Sequence, residues 1–296
     1  MNFPFVKYYK IHYFLISILI IASIVCLLVF GLNLGIDFLG GTIWEFELEN
    51  RPDNAVIQEK LNKFDLGEIV IQPTGEKGTI LRFKNIDENI HQQMLSSLNE
   101  ISKVEERRFE SIGPTIGREL RNKTIALIII SMISLLIYIA VAFRKLSWPI
   151  SGWKYGLVSI ITLAIDVIIP VFVLILLGKF NNVQFNIPIV AALLTILGYT
   201  INDKVIIFDR VRENILRTRS EDFAGTINQS LNQVISRSLS TGFCTLLILF
   251  SIFFLGGETL KYFSLTLIIG IIVGTYTSLF IASALLISWS RKRIGS

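Results

Sequence analysis

The chain has 296 residues, 52% of them hydrophobic, and its mean hydropathy is +0.61. This excludes an ordinary soluble domain, and the length also excludes a chain made of membrane spans alone. The net charge of +5 comes from basic residues that cluster beside apolar runs, which indicates a membrane surface and lipid as their partner and no nucleic acid.

The motifs indicate no enzymatic or metal chemistry. Cys26 and Cys244 lie in apolar stretches without a partner at disulfide or metal spacing, and His12 and His91 stand apart. The sequence contains no Ser/His/Asp set, Walker loop or Rossmann fingerprint. We therefore predict no catalytic residue, no metal and no cofactor.

The first predicted element is an uncleaved membrane span. It occupies residues 11–30 and follows the basic residues Lys7 and Lys10. About 20 apolar residues suffice to cross a bilayer, and no small-x-small cleavage site follows. Residues 1–31 are thus predicted to be a cytoplasmic amino terminus and the first transmembrane helix.

Residues 32–122 are predicted to form one external domain, on the periplasmic side, because they lie between the first and second spans. Alternating and helical apolar patterns give the order βαββαβ, which is that of a ferredoxin-like α+β sandwich. The predicted strands are 42–48, 68–72, 79–83 and 103–111, and the predicted helices are 52–64 and 87–101. In the first of these helices Ala55, Ile57, Leu61 and Phe64 are predicted to face inward.

Residues 123–296 are predicted to hold five more spans. These are 123–143, 152–177, a span from 187 into the segment 195–214, 234–255 and 260–289. Residues 209–232 are predicted to be a long cytoplasmic loop with a helix along the membrane surface. The fold class is a polytopic α-helical membrane protein with six transmembrane helices, one external domain and both termini cytoplasmic.

The fourth span carries a polar face. At about 100° per residue, Thr195, Tyr199, Asn202 and Asp203 fall together. A carboxylate inside a bilayer costs roughly 2.5 kcal/mol or more, so Asp203 indicates an ion or proton route. The alternative is that Asp203 is solvated near the cytoplasmic end, and the neighbouring Lys204 is expected, like Asp209, to lie at the interface.

Arg237 begins a polar stripe on the fifth span, at a depth similar to that of Asp203. The two can therefore pair. A carboxylate held by arginine in a partly dry site can exchange a proton as its surroundings change. The alternative is a static ion pair that only neutralises two buried charges.

Two further features lie inside predicted spans. Asp166, near mid-membrane and one turn from Thr162, is either a proton relay or packing switch against the fourth span, or a neutral acid bonded to hydroxyls. A small-residue ridge on the sixth span predicts close helix packing. Its members are Gly270, Gly274, Ser278 and Ala282.

Four segments, residues 35–42, 112–120, 198–214 and 236–241, together resemble SecF subunits of the SecD/SecF family, in the resistance-nodulation-division superfamily. They follow the family's order over nearly the whole chain. The motif positions are Gly35, Asp37, Gly40, Gly41, Gly113, Pro114, Gly198, Tyr199, Asp209 and Arg210.

The resemblance implies a subunit of the bacterial cytoplasmic (inner) membrane that uses the proton motive force in late steps of protein export. It implies SecD, the SecYEG translocon, YajC and a translocating preprotein as partners. By motif, Asp203, next to Asn202, resembles the proton-carrying acid, Arg237 its partner and Asp166 the third-span acid. Ile165 replaces a histidine of the family pattern, and Lys204 replaces a small hydroxyl residue.

Two other functions fit the residues. One is a half-transporter that exports a small hydrophobic molecule or a lipid. The other is a purely structural subunit of the translocon.

Overall fold

The computed structural model describes residues 3–5, 8–75, 77–144, 151–218 and 222–294; Lys7, expected beside the first span, lies outside them. In chain order the elements are α1 (Tyr9–Phe30), α2 (Ile36–Leu39), β1 (Gly41–Leu48), α3 (Asn54–Leu61), β2 (Val70–Thr74), β3 (Gly78–Phe83), α4 (Glu88–Asn99), β4 (Val104–Ile112), α5 (Pro114–Ala142), α6 (Gly152–Asn181), α7 (Ile187–Thr218), α8 (Phe223–Leu255), α9 (Glu258–Tyr276), a π-helical segment (Thr277–Ala282) and α10 (Ser283–Ile294). The elements form two compact units, Met1–Asn33 with Leu127–Ser296, and Leu34–Ala126.

The larger unit holds the predicted spans. Within the described ranges, six helices are long and apolar enough to cross a membrane: α1, α5, α6, α7, α8 and the run from α9 to α10. The prediction of six transmembrane helices is thus confirmed. Helix α5 begins at Pro114 and not near the predicted residue 123. Proline suits the first helical position, where its missing N–H would have no helical partner.

The smaller unit is a four-stranded antiparallel sheet in the order β2-β3-β1-β4. With α3 and α4 between the strands in sequence, this is the predicted ferredoxin-like arrangement. Trp44 in the central strand β1 is opposite Leu81 of β3 and Phe109 of β4. Helix α3 contributes the buried residues Ile57 and Leu61 to the core.

The prediction that Ala55 of α3 faces inward is wrong. Ile57 and Leu61, four residues apart, define the inward face of α3. Ala55 lies two residues before Ile57, on the opposite side of the helix, and is exposed.

The glycine pair before β1 has a steric reason. Gly40 and Gly41 both have positive φ angles, +80° and +131°, which L-residues rarely adopt. A Cβ atom on Gly40 would lie 2.8 Å from the Cα atom of Pro114. The motif residues 35–41 and 113–114 therefore pack against each other where the chain enters and leaves the sheet.

The predicted loop at residues 209–232 is wrong. Helices α7 and α8 have 32 and 33 residues, or about 48 Å each, whereas a bilayer core is about 30 Å thick. The extra turns of the two helices pack against each other through buried residues. The Asn214 side chain donates a hydrogen bond to Ser230 Oγ at 2.8 Å. The buried apolar residues of this pairing lie four apart on each helix: Val211 and Ile215 on α7, and Ile227 and Leu231 on α8. The described part of this segment therefore belongs to α7 and α8 and forms no separate helix along the membrane surface.

Candidate functional site

The candidate site begins with a buried lysine on α7. Lys204 is fully excluded from solvent, and its Nζ atom lies 2.6 Å from Asp166 Oδ2 on α6. The prediction that Lys204 lies at the interface is therefore wrong. Its helical neighbours Thr200 and Phe208, one turn away on either side, are also buried, so its position points into the bundle.

Asp166 uses both carboxylate oxygens. Besides Lys204 at Oδ2, the Thr277 hydroxyl donates to Oδ1. Thr162, the expected neighbour, instead donates to the backbone oxygens of Val158 and Ser159. The partners of Asp166 thus come from α7 and the sixth span, and the acid is part of an ion pair.

Thr277 opens the π-helical segment of the sixth span. Such segments are rare and are often found at functional sites. The single proton of the Thr277 hydroxyl is shared with the backbone oxygen of Gly274, at 3.1 Å. The segment therefore holds one hydroxyl against Asp166.

The glycine ridge packs α9 directly on α7. A Cβ atom on Gly270 would lie 2.1 Å from Ile196 Cδ1, and one on Gly274 would lie 2.0 Å from Thr200 Cγ2. The Cβ atom added to Gly274 would also lie 3.6 Å from Asp166 Oδ2. The predicted close packing of the sixth span is confirmed, and it occurs beside the buried ion pair.

Asp203 is buried, with 4% of its surface exposed, and it lies beside Ser238 of α8. The Ser238 hydroxyl has no hydrogen-bond partner within the described ranges. Arg237 is exposed, and among the described ion pairs none joins it to Asp203. The pairing of Asp203 with Arg237 stays a hypothesis; in this conformation Ser238, and not Arg237, occupies the buried face of α8.

The predicted polar face of α7 divides into two parts. Thr195 and Asn202 are exposed, whereas Asp203 is buried. Tyr199, half-buried, contacts Thr245 of α8 through its hydroxyl, at 3.2 Å. Asn202 therefore lies on a different side from the buried acids, and Tyr199 connects α7 with α8.

The charged end of the fourth-span motif lies away from the buried acids. Asp209 is exposed and paired with Arg212 at 3.4 Å. Arg210 donates to Gln233 of α8 at 2.6 Å. Arg210 thus links α7 to α8, whereas the Asp209–Arg212 pair lies within α7. Near the start of this motif, Gly198 is exposed, with open space around its Cα atom.

Sequence reasoning did not identify three residues of the site. Thr277 and Thr200 line the Asp166 region, and Ser238 lies beside Asp203. One signal was available: Thr277 follows Gly274 of the ridge by three residues, which places it on nearly the same side of the helix.

The family model for the protein export membrane protein SecD/SecF, C-terminal part, matches residues 90–292, more than half of the chain. The chain belongs to the SecD/SecF family. A second SecD/SecF model, the GG motif, matches residues 27–50 and includes the Gly40–Gly41 pair described above.

Curated SecD/SecF relatives match over nearly the whole chain. The protein translocase subunit SecF of Thermobaculum terrenum is 38% identical over 295 residues, 95% of this chain and 92% of the relative. SecF of Rickettsia rickettsii is 32% identical over 299 residues, 99% and 93% of the two chains.

Two solved SecDF structures have a similar fold. The crystal structure of SecDF, a translocon-associated membrane protein from Thermus thermophilus, superimposes with a TM-score of 0.85 and 31% identity over 98% of this chain. SecDF in its super-membrane-facing form gives a TM-score of 0.72 and 30% identity over 100% of this chain. The chain spans only 39% and 40% of the lengths of these SecDF chains.

Proposed function

We propose that this chain is a SecF-type subunit that uses proton entry to promote late steps of protein export across the bacterial cytoplasmic membrane. The observation that supports this is Asp203, an acid that is buried inside an apolar span without an ion pair in the described part of the chain. A group of this kind in a membrane protein is by default a candidate for a proton site.

The proposed step depends on the charge of Asp203. A carboxyl group that is buried without a counter-ion is expected to be protonated, because the charged form is costly to desolvate. Loss of the proton creates an anion beside Ser238. A shift of α8 that brings Arg237 to Asp203 lowers this cost, so the protonation state of Asp203 favours one helix arrangement over another.

Asp166 contributes in a different way. Its ion pair with Lys204 is neutral and links α6 to α7. Thr277 adds the sixth span to this link. We propose that this link transmits movement at Asp203 to the neighbouring helices, with Asn202 and Arg237 on the accessible side of the route.

Partners and orientation follow from the same proposal. SecD supplies the remaining membrane half, as the greater length of the solved SecDF chains suggests. SecYEG, YajC and the preprotein complete the assembly. Basic residues beside the spans favour cytoplasmic termini. Residues 32–122 then lie on the periplasmic side.

The test compares gradient-dependent release of a secreted preprotein from membrane vesicles that carry wild type, Asp203→Asn or Asp209→Asn. Asp209 is a matched control, since it is an exposed acid on the same helix. Asp203→Asn is expected to abolish stimulation by the gradient at normal complex levels, and Asp209→Asn to retain it. If Asp203→Asn keeps full stimulation with an intact complex, the chain is a structural subunit.

A second result would favour the half-transporter. Protein release would then be normal in vesicles that lack the chain altogether, while export of a lipid or of a small hydrophobic molecule would require Asp203.

A further inference from the structure

The buried site already contains a cation of its own. Lys204 is fully buried and makes its ion pair with Asp166 over 2.6 Å. Asp203, its neighbour in sequence, is also buried and, within the described ranges, has no ion-pair partner. Two acids and one amine thus lie together in the membrane unit, and unless Arg237 approaches, this set is neutral only when one acid takes up a further monovalent cation.

We propose that Lys204 determines which ion the site accepts: its ammonium group occupies the cation position at Asp166 and restricts coupling to protons, to the exclusion of sodium. This proposal rests on the proposed function. It goes further, because it assigns the identity of the coupling ion to one residue that is neither Asp203 nor Arg237.

The oxygen atoms around the site support this restriction. A hard metal cation needs several oxygen ligands at once, whereas a proton needs only one. Both oxygens of Asp166 are already taken, by the Lys204 amine and the Thr277 hydroxyl. Beside Asp203 there remain the hydroxyl groups of Ser238 and, one turn away on α7, Thr200, neither with a hydrogen-bond partner in the described ranges; a hard metal cation usually takes about six oxygen ligands or more.

The backbone of α7 supplies no further ligands. Sodium sites in membrane transporters commonly use carbonyl oxygens from unwound segments of spans. Helix α7 runs unbroken from Ile187 to Thr218 through both Asp203 and Lys204, so its carbonyl groups near the site are engaged within the helix. The π-helical segment of the sixth span offers Thr277, whose hydroxyl is already bonded to Asp166.

The experiment uses the chain in complex with its membrane partner, reconstituted in vesicles, with a proton gradient or a sodium gradient imposed separately. Wild type is compared with Lys204→Thr, which removes the ammonium group, frees Asp166 and adds a hydroxyl ligand. Wild type is expected to respond to the proton gradient alone. For Lys204→Thr, the rate of preprotein release under a sodium gradient is expected to be at least about fivefold higher than for wild type, which is the lower end of typical coupling effects.

A neutral second variant keeps the test valid if Lys204→Thr fails to assemble. The double variant Asp166→Asn with Lys204→Thr leaves no unpaired charge at this position, and it is expected to gain a sodium response through Asp203 that is smaller than that of Lys204→Thr, because the amide offers one oxygen ligand in place of two.

Two results would overturn the proposal. One is a sodium gradient that drives wild-type release through Asp203. The other is an assembled Lys204 variant that gains no response to sodium. If the proposed function itself were wrong, the result would be different, because Asp203→Asn would then leave the responses to both gradients unchanged.

Discussion

Lys204 Nζ on α7 lies 2.6 Å from Asp166 Oδ2 on α6, with both side chains fully excluded from solvent. Such a pair contributes less to stability than its geometry suggests, because two ions must leave water to form it. Its members nevertheless depend on each other strongly. Removing one of them leaves a buried charge without compensation.

The first prediction is a thermodynamic coupling between these two residues. Asp166→Asn and Lys204→Met are each expected to lower the free energy of unfolding by about 3–5 kcal/mol. The double variant is expected to lose clearly less than the sum of the two. Chemical unfolding of the purified protein in detergent measures all three values, and additive losses would argue against the pair.

The second prediction concerns helix packing beside the pair. Gly274→Ala would place a methyl group 2.0 Å from Thr200 Cγ2, and overpacking of this kind typically costs about 1–3 kcal/mol. The control is Gly242→Ala on α8, whose added Cβ atom would meet nothing closer than Thr275 Oγ1 at 3.6 Å. We expect a lower unfolding temperature in detergent for the first variant alone. Equal temperatures for both variants would contradict the close packing of α7 on α9.

The third prediction separates function from stability at Arg237. Its side chain is exposed and, in the described part of the chain, forms no ion pair. Arg237→Ala is therefore expected to leave the free energy of unfolding within about 0.5 kcal/mol of wild type. Proton-driven release is expected to be lost, because deprotonated Asp203 then has no arginine to approach.

A matched change tests whether the shape of the guanidinium group matters. Arg237→Lys keeps the charge but not the planar fork. Full activity in this variant would show that charge alone suffices, whereas a large loss of stability in Arg237→Ala would show that the residue is structural.

Much of the fold could be predicted from the sequence, because the signals were periodic. Apolar runs of about 20 residues and strand alternation each depend only on local chemistry, and the resulting six helices and βαββαβ order are confirmed. The length of α7 and α8 was harder to predict. Arginine residues such as Arg210 indicated a surface loop, whereas the side chains of Arg210 and Asn214 have partners on the facing helix.

The site was predicted less completely, because its geometry depends on rotation between helices. Asp203 and Lys204 are adjacent in sequence, and the sequence does not show which neighbouring helix faces each of them. Depth along the span suggested Arg237 as the partner of Asp203, but the buried face of α8 is occupied by Ser238. The contact between Lys204 and Asp166 depends on the packing of α6, which periodicity within α7 cannot reveal.

The fourth prediction concerns the pH dependence of the smaller unit. Hydrogen bonds from Gln92 and then His91 lower the pKa of Glu88 below its ordinary value of 4.5. A lowered pKa stabilises the fold above the unfolded-state value, and this contribution is lost as the pH falls through the folded-state pKa. Glu88→Gln is therefore expected to reduce the loss of thermal stability between about pH 6 and pH 3.

The control is Glu59→Gln, an exposed acid on α3 of the same unit. It is expected to leave the pH profile unchanged, as measured by circular dichroism of the detergent-solubilised protein. Identical shifts for both variants would indicate a general charge effect and no role for the Gln92 and His91 hydrogen bonds.

The fifth prediction concerns Glu106 of β4, which joins two buried side chains. Its Oε2 atom accepts a hydrogen bond from Trp44 Nε1 at 2.8 Å and lies 2.7 Å from His91 Nε2. A glutamine carbonyl oxygen at this position can accept both bonds but carries no charge, so Glu106→Gln weakens two charge-assisted contacts and is expected to cost about 1–3 kcal/mol. The neighbouring Glu105 pairs with Arg107 on the surface, and Glu105→Gln is expected to cost less than about 1 kcal/mol. Urea unfolding followed by tryptophan fluorescence compares the two variants, and an equal cost would show that the contacts of Glu106 add nothing to an ordinary surface pair.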